Sequence, residues 1–108
     1  MTQATAPQLL RHVVLFKFLD GTTREQVQSI EAAFRALPAQ VREIRDLEWG
    51  VARSPEGLSQ GYTHCFLVTF LSEKDRDAYL PHPAHRAFVA LLQPCLDKVL
   101  VIDYFANA

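Results

Sequence analysis

The sequence predicts an α+β fold: a ferredoxin-like β-α-β-β-α-β sheet with its helices on one face. Two copies of that unit then form a dimeric α/β barrel. Three observations predict it. Strand-like and helix-like segments alternate in that order along the chain. Prolines divide the second helical region into two pieces. Strands one, three and four are apolar on both faces, although the helices can cover only one; a second copy of the same sheet is the economical cover for the other.

Strand one is His12 to Leu19, stopped by the Asp20-Gly21 turn signal. Its even residues, His12, Val14, Phe16 and Phe18, share one face. Thr22-Thr23-Arg24-Glu25 has the spacing of a capping box. Val27, Ile30, Phe34 and Leu37 then recur at helical spacing, and Pro38 is expected to end the helix. Ile44 to Val51 alternates polar and apolar residues, as a half-exposed strand near an edge does. Strand three, Tyr62 to Leu71, puts His64, Phe66, Val68 and Phe70 on one face. Ser72 caps a short helix over Glu73 to Leu80. Pro81 breaks it, Pro83 starts the next, and Pro94 ends that one near Leu92. Val99 to Phe105 is the last strand, apolar except for Asp103. Whether the even faces are core beneath the helices or lining of the barrel interior is not settled by periodicity.

The 108 residues suit one domain over 11–108, preceded by a flexible N-terminal tail over 1–10. Met1 to Pro7 has neither the apolar core nor the basic residue of a signal peptide. No apolar run is long enough to span a membrane. A net charge of -1 and the lack of any Lys/Arg stripe disfavour a nucleic-acid partner. Cys65 and Cys95 stand far apart in apolar surroundings and read as buried thiols, which fits a cytoplasmic, reducing compartment.

Three of the four histidines and two of the three tyrosines lie between Tyr62 and His85. Histidine titrates near neutrality, so this density is a candidate acid/base site. His82, before Pro83, has the position of a helix N-cap, and His85 projects from the first turn. His12 and His64 begin antiparallel strands, which places them about 20 Å apart, too far to share a metal. No metal site and no cofactor are expected. The charged runs Arg42–Glu48 and Glu73–Asp77 read as solvated surface.

The segments His12-Val13-Val14-Leu15-Phe16-Lys17-Phe18, Gly61-Tyr62-Thr63-His64, and Tyr79 followed by His82-Pro83-Ala84-His85, together with Trp49-Gly50, resemble the stress-responsive dimeric α/β-barrel (Dabb) family. The likeness runs over nearly the whole chain after the tail. It implies the same dimeric barrel. Most members have no established activity. The olivetolic acid cyclase-type members close a linear polyketide by aldol condensation without metal or organic cofactor, through a tyrosine and histidine pair. The resemblance makes Tyr79 and His85 that pair, and His12 and His64 cavity histidines. Phe34 stands where the cyclase has a tyrosine. With Phe66, these residues form the expected substrate-binding set.

Two functional readings follow. One is a homodimeric stress-responsive protein whose interior pocket holds a small, partly apolar molecule, with cofactor-free cyclase- or lyase-like chemistry at Tyr79 and His85. The other is a non-catalytic stress or assembly protein that acts through its stable dimer. The residues alone leave open whether the chain is an enzyme.

Overall fold

A computed structural model describes residues 8–107. Its elements are β1 (Leu10–Phe18), α1 (Arg24–Gln40), β2 (Asp46–Val51), β3 (His64–Phe70), α2 (Glu73–Tyr79), α3 (Pro83–Leu92) and β4 (Leu96–Phe105), with a 3-10 turn at Gln93–Cys95. The strands form one antiparallel sheet in the order β2-β3-β1-β4. This is the ferredoxin-like arrangement expected, with β1 and β3 central and the helices on one face.

Leu10, expected in the tail, belongs to β1. It pairs with Phe70 on one side and Phe105 on the other and is buried. Residues 1–7 of the expected tail lie outside the described residues. The cap of α1 is also displaced by one residue. Thr22 Oγ1 donates to the Leu19 carbonyl at 2.6 Å, so it is unavailable to the helix. Thr23 takes its place, and a reciprocal box forms with Gln26. Nor does Pro38 end α1, which continues to Gln40. A proline in the last turn forfeits only one ladder bond, and buried Val41 closes the helix through its N–H to Leu37 O at 2.8 Å. β4 starts at Leu96 rather than Val99, because a register shift between Lys17 and Phe18 keeps the pairing going.

The register shows which residues share a face, and packing against α1 and α3 shows which face is covered. Leu10, His12, Val14 and Phe16 pair with β3 and β4 residues that look the same way, towards α1 and α3. That face carries the core, with Phe16, Phe34, Phe66, Phe70 and Tyr79 all nearly inaccessible. The histidine face is therefore the helix-covered face. The other face presents Val13, Leu15 and Leu67, with Leu100, Ile102 and Tyr104 of β4 at 41%, 53% and 46% exposure. No described helix is long and apolar enough to cross a membrane. Both cysteines are free thiols; Cys95 is buried and Cys65 half-buried.

Candidate functional site

The break between α2 and α3 builds the site. Ser72 Oγ caps α2 by accepting from Asp75 N–H at 3.1 Å. α2 ends at Tyr79, whose ring is 1% exposed. His82 then caps α3, its Nδ1 accepting from Ala84 N–H at 3.0 Å, with Pro83 at the first helical position. One turn on, the His85 ring lies 4.4 Å from the Tyr79 ring at 47°.

His85 Nδ1 sits 2.8 Å from the Leu80 carbonyl oxygen. A carbonyl only accepts, so Nδ1 carries the proton and Nε2 is left with its lone pair. Burial lowers the His85 pKa, against the opposing pull of that backbone bond, and a protonated His12 nearby lowers it further. The ring is thus neutral at neutral pH and able to act as a base. Burial drives the Tyr79 pKa well above its ordinary value, so its hydroxyl is a neutral donor.

These two residues border a cavity of about 480 Å³ between the sheet and the α2–α3 segment. Its polar end holds His12, Arg76, Asp77, Tyr79, His85 and Asp103. Its apolar end includes Phe16, Phe34, Phe88 and Leu92, and it reaches half-exposed Val99 and Val101 on the edge strand. An apolar cleft of this size with a few convergent polar groups is the usual form of a small-molecule site. It lies within one protomer, on the helix side of the sheet. The sequence predicts an interior pocket without deciding the sheet face; this cavity is on the face that carries His12.

His12 and Phe34 line the cavity; His64 and Phe66 do not. His12 Nδ1 donates to Asp103 Oδ1 at 2.7 Å, and its ring is 6.0 Å from Tyr79. Phe66 lies behind Phe34, the rings stacked at 4.0 Å. His64 is at the far end of the sheet, paired with Phe16 in the register whereas His12 is paired with Val68. Its Nε2 contacts Glu31 Oε2 at 2.7 Å and its Nδ1 contacts Thr63 Oγ1 at 2.8 Å, so both ring nitrogens are used. Among the described residues no group of three His, Cys, Asp or Glu side chains could hold a metal ion.

Three polar residues of the site, Arg76, Asp77 and Asp103, are missing from the set the sequence predicts. Asp103 carried a signal, as the one charge in the Val99–Phe105 segment. Arg76 carried none: it sits in a charged run that reads as solvated surface, yet its side chain is 19% exposed and its Nη1 donates to Asp103 Oδ2 at 3.0 Å.

The family model for the stress responsive A/B barrel domain, Dabb, matches residues 10–106. The chain belongs to this family. The Dabb chain is 38% identical over 104 residues to the stress-response A/B barrel domain-containing protein HS1 of Arabidopsis thaliana, covering 96% of this chain and 94% of that one. It is 30% identical over 95 residues to olivetolic acid cyclase of Cannabis sativa, covering 88% and 94%. Among solved structures, the hydroxynitrile lyase of Passiflora edulis superposes with a TM-score of 0.87 at 26% identity, covering 94% and 96%. A dimeric ferredoxin-like protein from Thermobifida fusca superposes with a TM-score of 0.78 at 27% identity, covering 97% of each chain.

Proposed function

We propose that this Dabb protein works as a homodimer. In each protomer a pocket takes a small, partly apolar carbonyl compound and makes or breaks a carbon–carbon bond by cofactor-free acid/base chemistry. The observation that carries this reading is the Tyr79 and His85 pair in ring contact, tilted at 47°, at the polar end of the cavity, with Nδ1 of His85 fixed on Leu80 and Nε2 unprotonated. Two similar proteins, a cyclase and a hydroxynitrile lyase by name, support a reaction of this class. The exposed apolar face of the sheet and the dimeric Thermobifida fusca neighbour support the homodimer. The free thiols suit a reducing, cytoplasmic setting.

In the synthetic direction, His85 Nε2 takes a proton from the carbon beside a carbonyl. The C–H electron pair forms an enolate, whose oxygen accepts the Tyr79 hydroxyl hydrogen bond. The enolate carbon then attacks a second carbonyl carbon, forming a C–C bond and an alkoxide. The proton held on His85 passes to that alkoxide, restoring the neutral ring. A lyase runs these steps backwards, from a hydroxyl beside the bond that breaks. The apolar end of the cavity holds the rest of the substrate away from water.

The test is turnover of a panel of β-polyketones and cyanohydrins by the wild type, His85→Ala and Tyr79→Phe. The reading predicts at least one substrate turned over by the wild type and a large loss in both variants. Equal rates in wild type and His85→Ala overturn it. The non-catalytic reading is favoured by one observation, the width of the apolar sheet face. It predicts that function survives His85→Ala and is lost with the dimer.

A further inference from the structure

The polar end of the cavity contains a chain of three groups that the Tyr79/His85 pair does not use. Asp103 offers one oxygen to each neighbour. Oδ1 accepts from His12 Nδ1 at 2.7 Å, and Oδ2 accepts from Arg76 Nη1 at 3.0 Å. A carboxylate held at both oxygens cannot rotate without losing a bond. Because an ionised carboxylate only accepts, the His12 proton is committed to Nδ1. Among the described residues no partner hydrogen-bonds His12 Nε2, and no buried polar side-chain atom there is left unsatisfied, which fits Nε2 opening onto the cavity.

Arg76 sits one turn before Tyr79 on α2, and so on the same side of that helix. Its fork is spread over three carboxylates: Asp103, Asp77 through Nη2 at 3.0 Å, and Glu73 through Nη2 at 3.6 Å. With its charge thus matched, Arg76 is poorly placed to take an anionic ligand. It is well placed to fasten α2 to β4.

We propose that Arg76 is the positioning residue of this site: by gripping Asp103 Oδ2 it fixes the carboxylate that sets the His12 tautomer, and it holds α2, with Tyr79, against β4. With its proton on Nδ1, His12 leaves Nε2 to the cavity as a hydrogen-bond acceptor. The functional consequence rests on the proposed acid/base reading; the tautomer consequence does not.

The experiment is nitrogen NMR of the histidine rings in the full-length protein, at a pH above the imidazole titration, for wild type, Arg76→Met, Arg76→Lys and Asp103→Asn. Wild-type His12 is expected as the Nδ1–H form. Arg76→Met is expected to shift it towards the mixture of a free imidazole, with the His64 signals unchanged. Arg76→Lys is expected to restore part of the Nδ1–H signal, since lysine supplies a point charge but not the fork. If Arg76→Met does not fold, the Lys variant and Asp103→Asn carry the test. A His12 tautomer unmoved by Arg76→Met, or by Arg76→Lys and Asp103→Asn together, overturns the proposal. Where a turned-over substrate is in hand, Arg76→Met should lower kcat about tenfold or more with KM nearly unchanged. A rise in KM alone would assign Arg76 to binding instead. Failure to find any substrate counts against the acid/base reading and leaves the tautomer result standing.

Discussion

Two histidine–carboxylate pairs, each at 2.7 Å, stand at opposite ends of the same sheet face. His64 and Glu31 are closed off: Thr63 takes the second ring nitrogen, Phe18 packs edge-on at 5.1 Å, and Trp49 lies parallel at 6.2 Å. His12 and Asp103 have the same contact and similar burial, yet they border a cavity and leave one ring nitrogen over. The first pair ties α1 to β3. The second is connected to Tyr79 and, through the field of His12, to His85. A buried histidine–carboxylate contact is therefore not a site by itself; what separates the two is an unspent nitrogen beside open volume.

The sharpest way to break that contrast is at the cavity end. His85→Ala should reduce turnover about 10²- to 10⁴-fold, the usual worth of a general base, with the melting temperature little changed. Tyr79→Phe should cost somewhat less, because it removes one donor and keeps the buried ring. Steady-state kinetics beside a melting curve check both.

A smaller effect is expected at the sealed end. His64→Ala removes the partner of a largely buried Glu31 and should destabilise the fold by about 1–3 kcal/mol, measured by urea unfolding, while turnover per folded molecule stays near wild type. His12→Ala should invert the pattern, with turnover falling more than stability. Parallel behaviour of the two variants would erase the distinction.

Much of this was legible in the chain. The β-α-β-β-α-β order, the proline-split second helical region and the His82 cap came from spacing alone, because caps, prolines and periodicity act locally. The choice of sheet face did not, since β1 is apolar on both sides and only the α1 packing decides it. The family resemblance makes His64 a cavity residue, and Phe66 joins the expected set on the face that His64 shares with His12. Sharing a face does not place residues at one end of it, and strand register does. Arg76 was hidden because its partner is 27 residues away, beyond any local pattern.

The faintest expected effect is on stability against pH. The folded-state pKa of His85 is below its unfolded value, so the stability it contributes is present above the ordinary histidine pKa of about 6.5 and lost as the pH falls through it. The wild type should melt at lower temperature on acidification through that range, and His85→Gln should blunt the change. An unaltered slope would place the titrating group elsewhere.

The most direct test of the central claim is proton abstraction itself. A β-diketone sized for the cavity, incubated with the protein in deuterium oxide, reports exchange at the carbon between its carbonyls by NMR. Proton abstraction by His85 predicts exchange well above the buffer rate for wild type and near it for His85→Ala and Tyr79→Phe. Exchange equally fast in all three proteins would contradict it.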